Sequence, residues 1–109
     1  MDLDQVRIRA RIELCPTSDG GRQAALRGPV RYRPNHNFFG EADREMCMGE
    51  IELVEGQSLA PGEATSIEMT LWTWPALTRD LHAGRRWRLQ EGARLIGWGT
   101  VLELLDRQS

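Results

Sequence analysis

The stretch "VRIRARIEL", residues 6–14, decides the fold class. Apolar residues occupy every second position from Val6 to Leu14, and arginine or glutamate occupies every position between them. Successive side chains of a β-strand point to opposite faces, so this alternation predicts a strand with one buried face and one charged face.

The same alternation recurs along the chain, and turn-forming residues separate its occurrences. Strands are predicted at "VRY" (30–32), "MGEIELV" (48–54), "TSIEMTLWTW" (65–74) and "RRWRLQ" (85–90). The turns between them are predicted at "SDGG" (18–21), "RGP" (27–29) and "EGQSLAPGE" (55–63). Pro34 places the residues after it at a sheet edge or in an irregular stretch.

The final strand contains the triplet Gly97–Trp98–Gly99. Strict alternation from Ala93 onward puts Ile96, Trp98 and Thr100 on one face and both glycines on the other. We therefore expect Trp98, like Trp87 on the preceding strand, to be part of the core. The missing side chains of the two glycines would admit a close neighbour.

These segments amount to about six short strands without a long helix, which predicts an all-β sandwich or small barrel. "ALTRDLHAG" (76–84) predicts one helical turn with Gly84 at its C-terminal cap. A length of 109 residues predicts one domain, with a core at about 4–105 and a polar tail at 106–109.

The charge is uneven along the chain although the net charge is only −2. Residues 1–33 contain seven arginines and four acids, residues 41–68 contain one arginine and eight acids, and residues 79–94 contain five arginines and two acids. These segments either form oppositely charged surfaces or are the solvated outer faces of strands.

The N-terminus "MDLDQVRIRA" lacks the apolar stretch of a signal peptide, and no apolar run approaches the length of a membrane span. We therefore expect a cytoplasmic protein without membrane contact. In that compartment Cys15 and Cys47 would be thiols.

Catalytic signatures are missing from the sequence. His36 and His82 are the candidate bases, but no nucleophile motif accompanies either, and each is interpreted as a loop histidine. "GEADRE" (40–45) resembles a fragment of a calcium loop and is better interpreted as a solvated acidic loop. Neither a phosphate-binding nor a dinucleotide motif occurs. We therefore expect a non-enzymatic protein without metal or cofactor.

Arginines next to aromatic residues favour binding instead. Arg86, Arg88 and Arg94 flank the predicted hairpin and could bind phosphate through their planar guanidinium groups. Trp72 and Trp74 share the outer face of their strand, where they could stack on a ligand, form a protein interface or simply cover the barrel.

The order of several short motifs resembles the C-terminal (third) β-barrel domain of translation elongation factor Tu. The matching pieces span roughly residues 4–105 and are Gly20–Gly21–Arg22, Tyr32–Arg33–Pro34, Gly49 to Leu53, Pro61–Gly62, Glu91–Gly92, Gly97 and Gly99.

The resemblance implies a six-stranded antiparallel barrel that is not catalytic. In the elongation factor, this domain helps to bind the T stem of tRNA, packs on the GTPase domain and touches the exchange factor. The position of Arg22 and the hairpin tip at Glu91–Gly92 match tRNA-contacting regions of that family. The chain departs from the family at Gln23, Asn35 and Trp98. Because the sequence contains no phosphate-binding motif, we expect no GTPase activity.

Two hypotheses follow from the sequence. The first is a binding module that contacts tRNA, another RNA or a translation component, and the second is a protein-interaction module, a regulator or decoy, without RNA binding. The candidate RNA- or partner-binding residues are Arg22, Arg33, Arg86, Arg88, Glu91, Gly92 and Arg94.

Overall fold

The computed structural model describes residues 3–39 and 45–108, with the backbone alone at 107 and 108. This part of the chain is mostly β-structure, as the alternation predicted. Its elements are β1 (Asp4–Leu14), β2 (Leu26–Arg27), β3 (Val30–Tyr32), β4 (Asn35–Asn37), β5 (Met48–Leu53), β6 (Ser58–Leu59), β7 (Ala64–Thr73), α1 (Pro75–Asp80), β8 (Arg86–Glu91) and β9 (Arg94–Gln108).

Seven of the strands form one antiparallel sheet in the order β3-β5-β7-β1-β9-β8-β4, and β2 pairs separately with β6. The sheet curls into a half-barrel. One isolated bridge lies between β4 and the residue before β5, where the backbones of His36 and Cys47 exchange two hydrogen bonds of 3.3 and 2.8 Å.

Strand β1 lies at the centre of the sheet, between β7 and β9. Its predicted alternation is confirmed, because every second side chain from Val6 to Leu14 is buried in the core. Burial of this apolar face, with the matching faces of its neighbours, provides the main stabilisation of the sheet. Outward-facing Arg7 and Arg9 lie beside Glu68 of β7.

Strand β9 does not follow the predicted alternation, and Trp98 is on its outer face. Leu89 pairs with Gly97 but Gln90 pairs with Leu95, so Ile96 is an extra residue in a β-bulge. A bulge shifts the phase of the strand by one residue. As a result Ile96 and Val101 are both buried, whereas Trp98 is only half-buried. The prediction that Trp98 is a core residue was wrong, and that for Trp87 is confirmed.

Two other local predictions need correction. β9 continues to Gln108, which pairs with Gln5, so residues 106–108 form part of the central sheet instead of a polar tail. Helix α1 begins at Pro75 and ends at Asp80. Its C-cap residue is Leu81, in an extended conformation, and not Gly84 as the sequence predicted. Gly84 lies beyond the helix, in the following turn, with a φ of 93°.

Candidate functional site

The structure separates the predicted binding residues into three places. Arg22, Glu91, Gly92 and Arg94 meet at the tip of the β8–β9 hairpin, and we call them, with Tyr32, the tip cluster. Arg86 and Arg88 lie further down β8, on the outer face of the sheet beside Trp98. Arg33 lies apart from both groups, after β3, where it binds Glu50.

The tip cluster is organised around the carboxylate of Glu91. The Tyr32 hydroxyl donates to Glu91 Oε2 at 2.5 Å, and Arg22 Nη1 donates to the same oxygen. Arg94 Nη2 lies 3.0 Å from Oε1. The Arg22 guanidinium also covers the Tyr32 ring, 5.0 Å from its centroid, which is a cation–π distance. In the sequence, Arg22 and the hairpin tip were separate candidate binding regions, and nothing there showed that they meet or that Tyr32 joins them.

These contacts change the pKa values of Glu91 and Tyr32 in the tip cluster. Partial burial acts to raise the pKa of Glu91, but the hydrogen bonds from Tyr32 and Arg22 and the charge of Arg22 outweigh it, so the pKa is lowered. Burial, together with the bond to Glu91, raises the pKa of Tyr32. Glu91 is therefore an anion held by two arginines, and it neutralises part of the positive charge that a phosphate would need.

The hairpin turn itself is tethered to its neighbours. Gly92 has a φ of 62°, in the left-handed region that favours glycine. Its carbonyl oxygen accepts hydrogen bonds from Gln90 Nε2 at 3.2 Å and from Asn35 Nδ2 at 3.4 Å. The turn is thus linked to β4 across the sheet.

Trp98 stacks with two guanidinium groups on the outer face. The Cζ of Arg86 lies 4.0 Å from the centroid of the indole, and that of Arg88 lies 5.3 Å from it. Arg86 also pairs with Glu13 at 3.3 Å. Arg88 Nε is buried and has no hydrogen-bond partner among the described atoms.

Most of the basic outer face of β1 is neutralised by acids of β7, β9 and β1 itself. Arg9 pairs with Glu103 at 2.5 Å and with Glu68 at 3.8 Å, and Arg11 pairs with Glu13 at 3.5 Å. Antiparallel pairing brings Glu68, from the acidic segment, against the arginine-rich first strand. The charge separation along the sequence is therefore mixed locally in the fold, which favours the interpretation as solvated strand faces at this sheet surface.

A groove that sequence reasoning did not locate lies where β4 meets β5. Its volume is about 350 Å³, and its walls are apolar apart from one arginine and one asparagine. We call it the seam groove. It is lined by Arg33, Pro34, Asn35, Met46, Cys47, Met48, Gly49 and Trp72.

The apolar surface continues from the seam groove past Met46. A second depression of about 320 Å³ is lined by Leu3, Glu45, Met46 and Trp74. The Phe39 ring stacks on Trp74 at a centroid distance of 5.6 Å and is 42% exposed. The outward phase of Trp72 was visible in the sequence, whereas Trp74 follows the end of β7 and packs partly against the core. The proximity of both rings to the methionines depends on the pairing of distant strands.

At the edge of this surface, Met48 is the most exposed large apolar residue of the described chain, at 61%. It lies directly opposite Trp72 in the β5–β7 pair. Contiguous exposed apolar side chains of this kind mark interaction sites more often than isolated ones do.

Beneath the seam groove, His36 is a core residue and not the loop histidine that the sequence suggested. It lies fully buried in β4, and its Nδ1 accepts a hydrogen bond of 3.0 Å from Trp87 Nε1. Burial lowers the pKa of His36 to about 4, against a smaller opposing effect of the Gly49 backbone. The imidazole is therefore neutral at pH 7. His82 is exposed in the connection after α1, as expected.

The two cysteines are free and lie in different surroundings. Cys47 is buried next to the bridge to His36, and its thiol donates to the carbonyl oxygens of Met48 and Trp72 at 3.3 Å each. Burial raises the pKa of Cys47 to about 12. Cys15 is half-buried after β1, and its pKa is also raised by burial.

Within residues 3–39 and 45–108, no group of three or more histidine, cysteine or acidic side chains could hold a metal ion. Most of "GEADRE", including Glu41 and Asp43, lies outside the described residues. No helix in the described chain has the length and apolar character to cross a membrane. No family model matches the sequence.

Proposed function

We propose that the chain is a non-catalytic protein-interaction module that binds its partner through the seam groove and the apolar surface beside it. The observation that carries the proposal is the exposed Met48 side chain next to Trp72, at the edge of a groove of about 350 Å³. Aromatic residues and methionine are enriched in protein interfaces, and methionine adapts its shape to a partner.

We also propose that the half-barrel is a closed six-stranded barrel like the third domain of elongation factor Tu. Tyr32 pairs with Ile51. His36 lies four residues after Tyr32 and bridges Cys47, which lies four residues before Ile51. Because the register is the same, β3 and β4 are two parts of one strand along β5. That strand also pairs with β8, which supports closure of the sheet. Pro34, which has no N–H to donate, accounts for the interruption.

The pairing of the arginines favours a protein partner over RNA. Phosphate binding requires cationic side chains that are free to neutralise the backbone of the nucleic acid. Arg7, Arg9 and Arg86 are instead paired with glutamates of the sheet, and Arg22 and Arg94 share Glu91.

The stack on Trp98 supports a second candidate function, contact with tRNA or another RNA. Two arginines beside a half-buried indole offer both cationic and stacking contacts, which single-stranded nucleic acids use. This site would act together with the tip cluster. Arg22 and the Glu91–Gly92 turn of that cluster match tRNA-contacting regions of the elongation factor.

A pull-down with matched variants distinguishes the two candidates. The immobilised wild type, Met48→Asp and the double variant Arg86→Ala/Arg88→Ala are incubated with cell lysate, with and without nuclease. We expect a defined protein that survives nuclease treatment, is lost from Met48→Asp and is retained by the arginine variant. Capture that disappears with nuclease and with the arginine variant would establish the RNA function instead. Thermal unfolding of all three proteins verifies that they are folded.

A further inference from the structure

The seam groove has one charged wall, and this charge indicates what kind of partner segment it accepts. Arg33 lines the groove, and Arg33 Nη2 and Nε lie 2.7 and 2.9 Å from Glu50 Oε2. Arg31 Nε approaches the other oxygen of Glu50 at 3.7 Å. Two cations therefore share one carboxylate, which leaves one net positive charge at this end of the groove.

The geometry of Arg33 presents this charge to a ligand. Glu50 is largely buried, with a side-chain exposure of 13%, whereas the Arg33 side chain is 70% exposed. The carboxylate thus fixes one edge of the guanidinium, and the remaining N–H groups face outward. A guanidinium oriented in this way is suited to bind a second carboxylate through parallel hydrogen bonds.

The apolar surface beside Arg33 extends over two adjacent depressions, which is further than a small ligand would cover. Two depressions of about 350 and 320 Å³ share Met46 as their common wall. The first contains Trp72 of β7, and the second contains Trp74, two residues later and just beyond the end of that strand. Such a row of adjacent depressions fits successive side chains of an extended peptide.

From these observations we propose that the seam groove binds a short extended peptide segment of a partner protein, with large apolar side chains in the two depressions and an aspartate or glutamate on Arg33. This inference rests on the proposed protein-interaction function and specifies the chemistry of the partner. The apolar side chains provide most of the affinity, and the carboxylate sets the direction of the peptide, since exposed ion pairs contribute little energy by themselves.

Random heptapeptides displayed on phage provide a defined probe for this proposal. The full chain is used as bait, and the selected sequences are synthesised with a fluorescent label for anisotropy measurements. We expect enrichment of two large apolar residues together with an aspartate or glutamate. No enrichment, or enrichment of apolar sequences without acids, would overturn the proposed chemistry even if the pull-down had captured a protein through this surface.

Variants then locate the binding. Met48→Asp should weaken the selected peptide about tenfold or more, and Arg33→Gln about threefold to fivefold. Arg27→Gln, which removes an exposed arginine from β2, should leave the affinity unchanged. Replacement of the aspartate or glutamate of the peptide by asparagine or glutamine should weaken its binding to the wild type. The same replacement should change the affinity for Arg33→Gln little. Equal losses from the amide peptide in both proteins would show that the acid does not bind Arg33.

Discussion

Gly99 lies against the indole of Trp87 so closely that a Cβ atom on this glycine would be 2.3 Å from Trp87 Cζ2 and 2.5 Å from Cε2. Trp87 is almost completely buried and cannot withdraw. Gly99→Ala should therefore lower the free energy of unfolding by about 1–3 kcal/mol, as overpacked cores do. Urea denaturation measures it, with the outer-face neighbour Thr100→Ala as control. Equal stability of the two variants would contradict this packing.

The two tryptophans of the hairpin should respond very differently to truncation. Trp87→Ala removes a buried ring and should cost about 3–5 kcal/mol of unfolding free energy. Trp98→Ala removes a half-buried ring on the outer face, with its two cation–π contacts, and should cost about 1–2 kcal/mol. Chemical denaturation of the two variants side by side checks the difference, and a larger loss for Trp98→Ala would argue against the bulge at Ile96.

The buried imidazole of His36 should make the protein sensitive to mild acid. The pKa is about 4 in the folded protein and 6.5 in an exposed histidine, so the unfolded chain binds the proton more readily. The buried neutral imidazole therefore contributes about 3 kcal/mol to the free energy of unfolding above about pH 6.5. This contribution is lost as the pH falls toward 4. Unfolding free energies at pH 7, 5.5 and 4 should show this loss, and His36→Phe should lack it. An identical pH dependence in both proteins would contradict the assignment of this loss of stability to His36.

The hydroxyl of Tyr32 should control the ionisation of Glu91. Tyr32→Phe removes one of the two donors to Oε2, so the pKa of Glu91 should rise toward its ordinary value of 4.5. The lowered pKa stabilises the fold above pH 4.5, and this contribution is lost at lower pH. NMR titration of the Glu91 carboxyl carbon measures the shift, and the stability at pH 7 should fall by about 1 kcal/mol. Gln23→Ala, an exposed substitution nearby in sequence, is the control.

Alternation predicted the strands well where the sheet is regular. β1 and β5 have the buried and exposed faces that their sequences predict, because each pairs with β7 without a shift in register. β9 departs from the prediction because a bulge changes the phase, and a bulge depends on the partner strand. No count along β9 alone could have shown that Ile96 and Val101 both point inward.

The candidate sites were predictable only in part for the same reason. Through a resemblance, the sequence marked Arg22 and Glu91 as two separate candidate contacts, and it predicted the outer face of β7 for Trp72. It could not show that a tyrosine completes the tip cluster or that Glu50 fixes Arg33. Tyr32 of β3 reaches Glu91 of β8, and Arg33 reaches Glu50 of β5, so the pairing of segments distant in sequence determines both relationships.

The central place of β1 has a consequence for synthesis of the protein. Ile8 is paired with Met69 on one side and with Leu104 on the other, so β1 acquires its second partner only after the chain has been synthesised as far as β9. Until then its apolar face is unprotected as the chain leaves the ribosome. Pairings this distant in sequence form slowly, because a long loop must close first. The alternating arginines of β1 keep this waiting segment charged and thereby oppose its self-association.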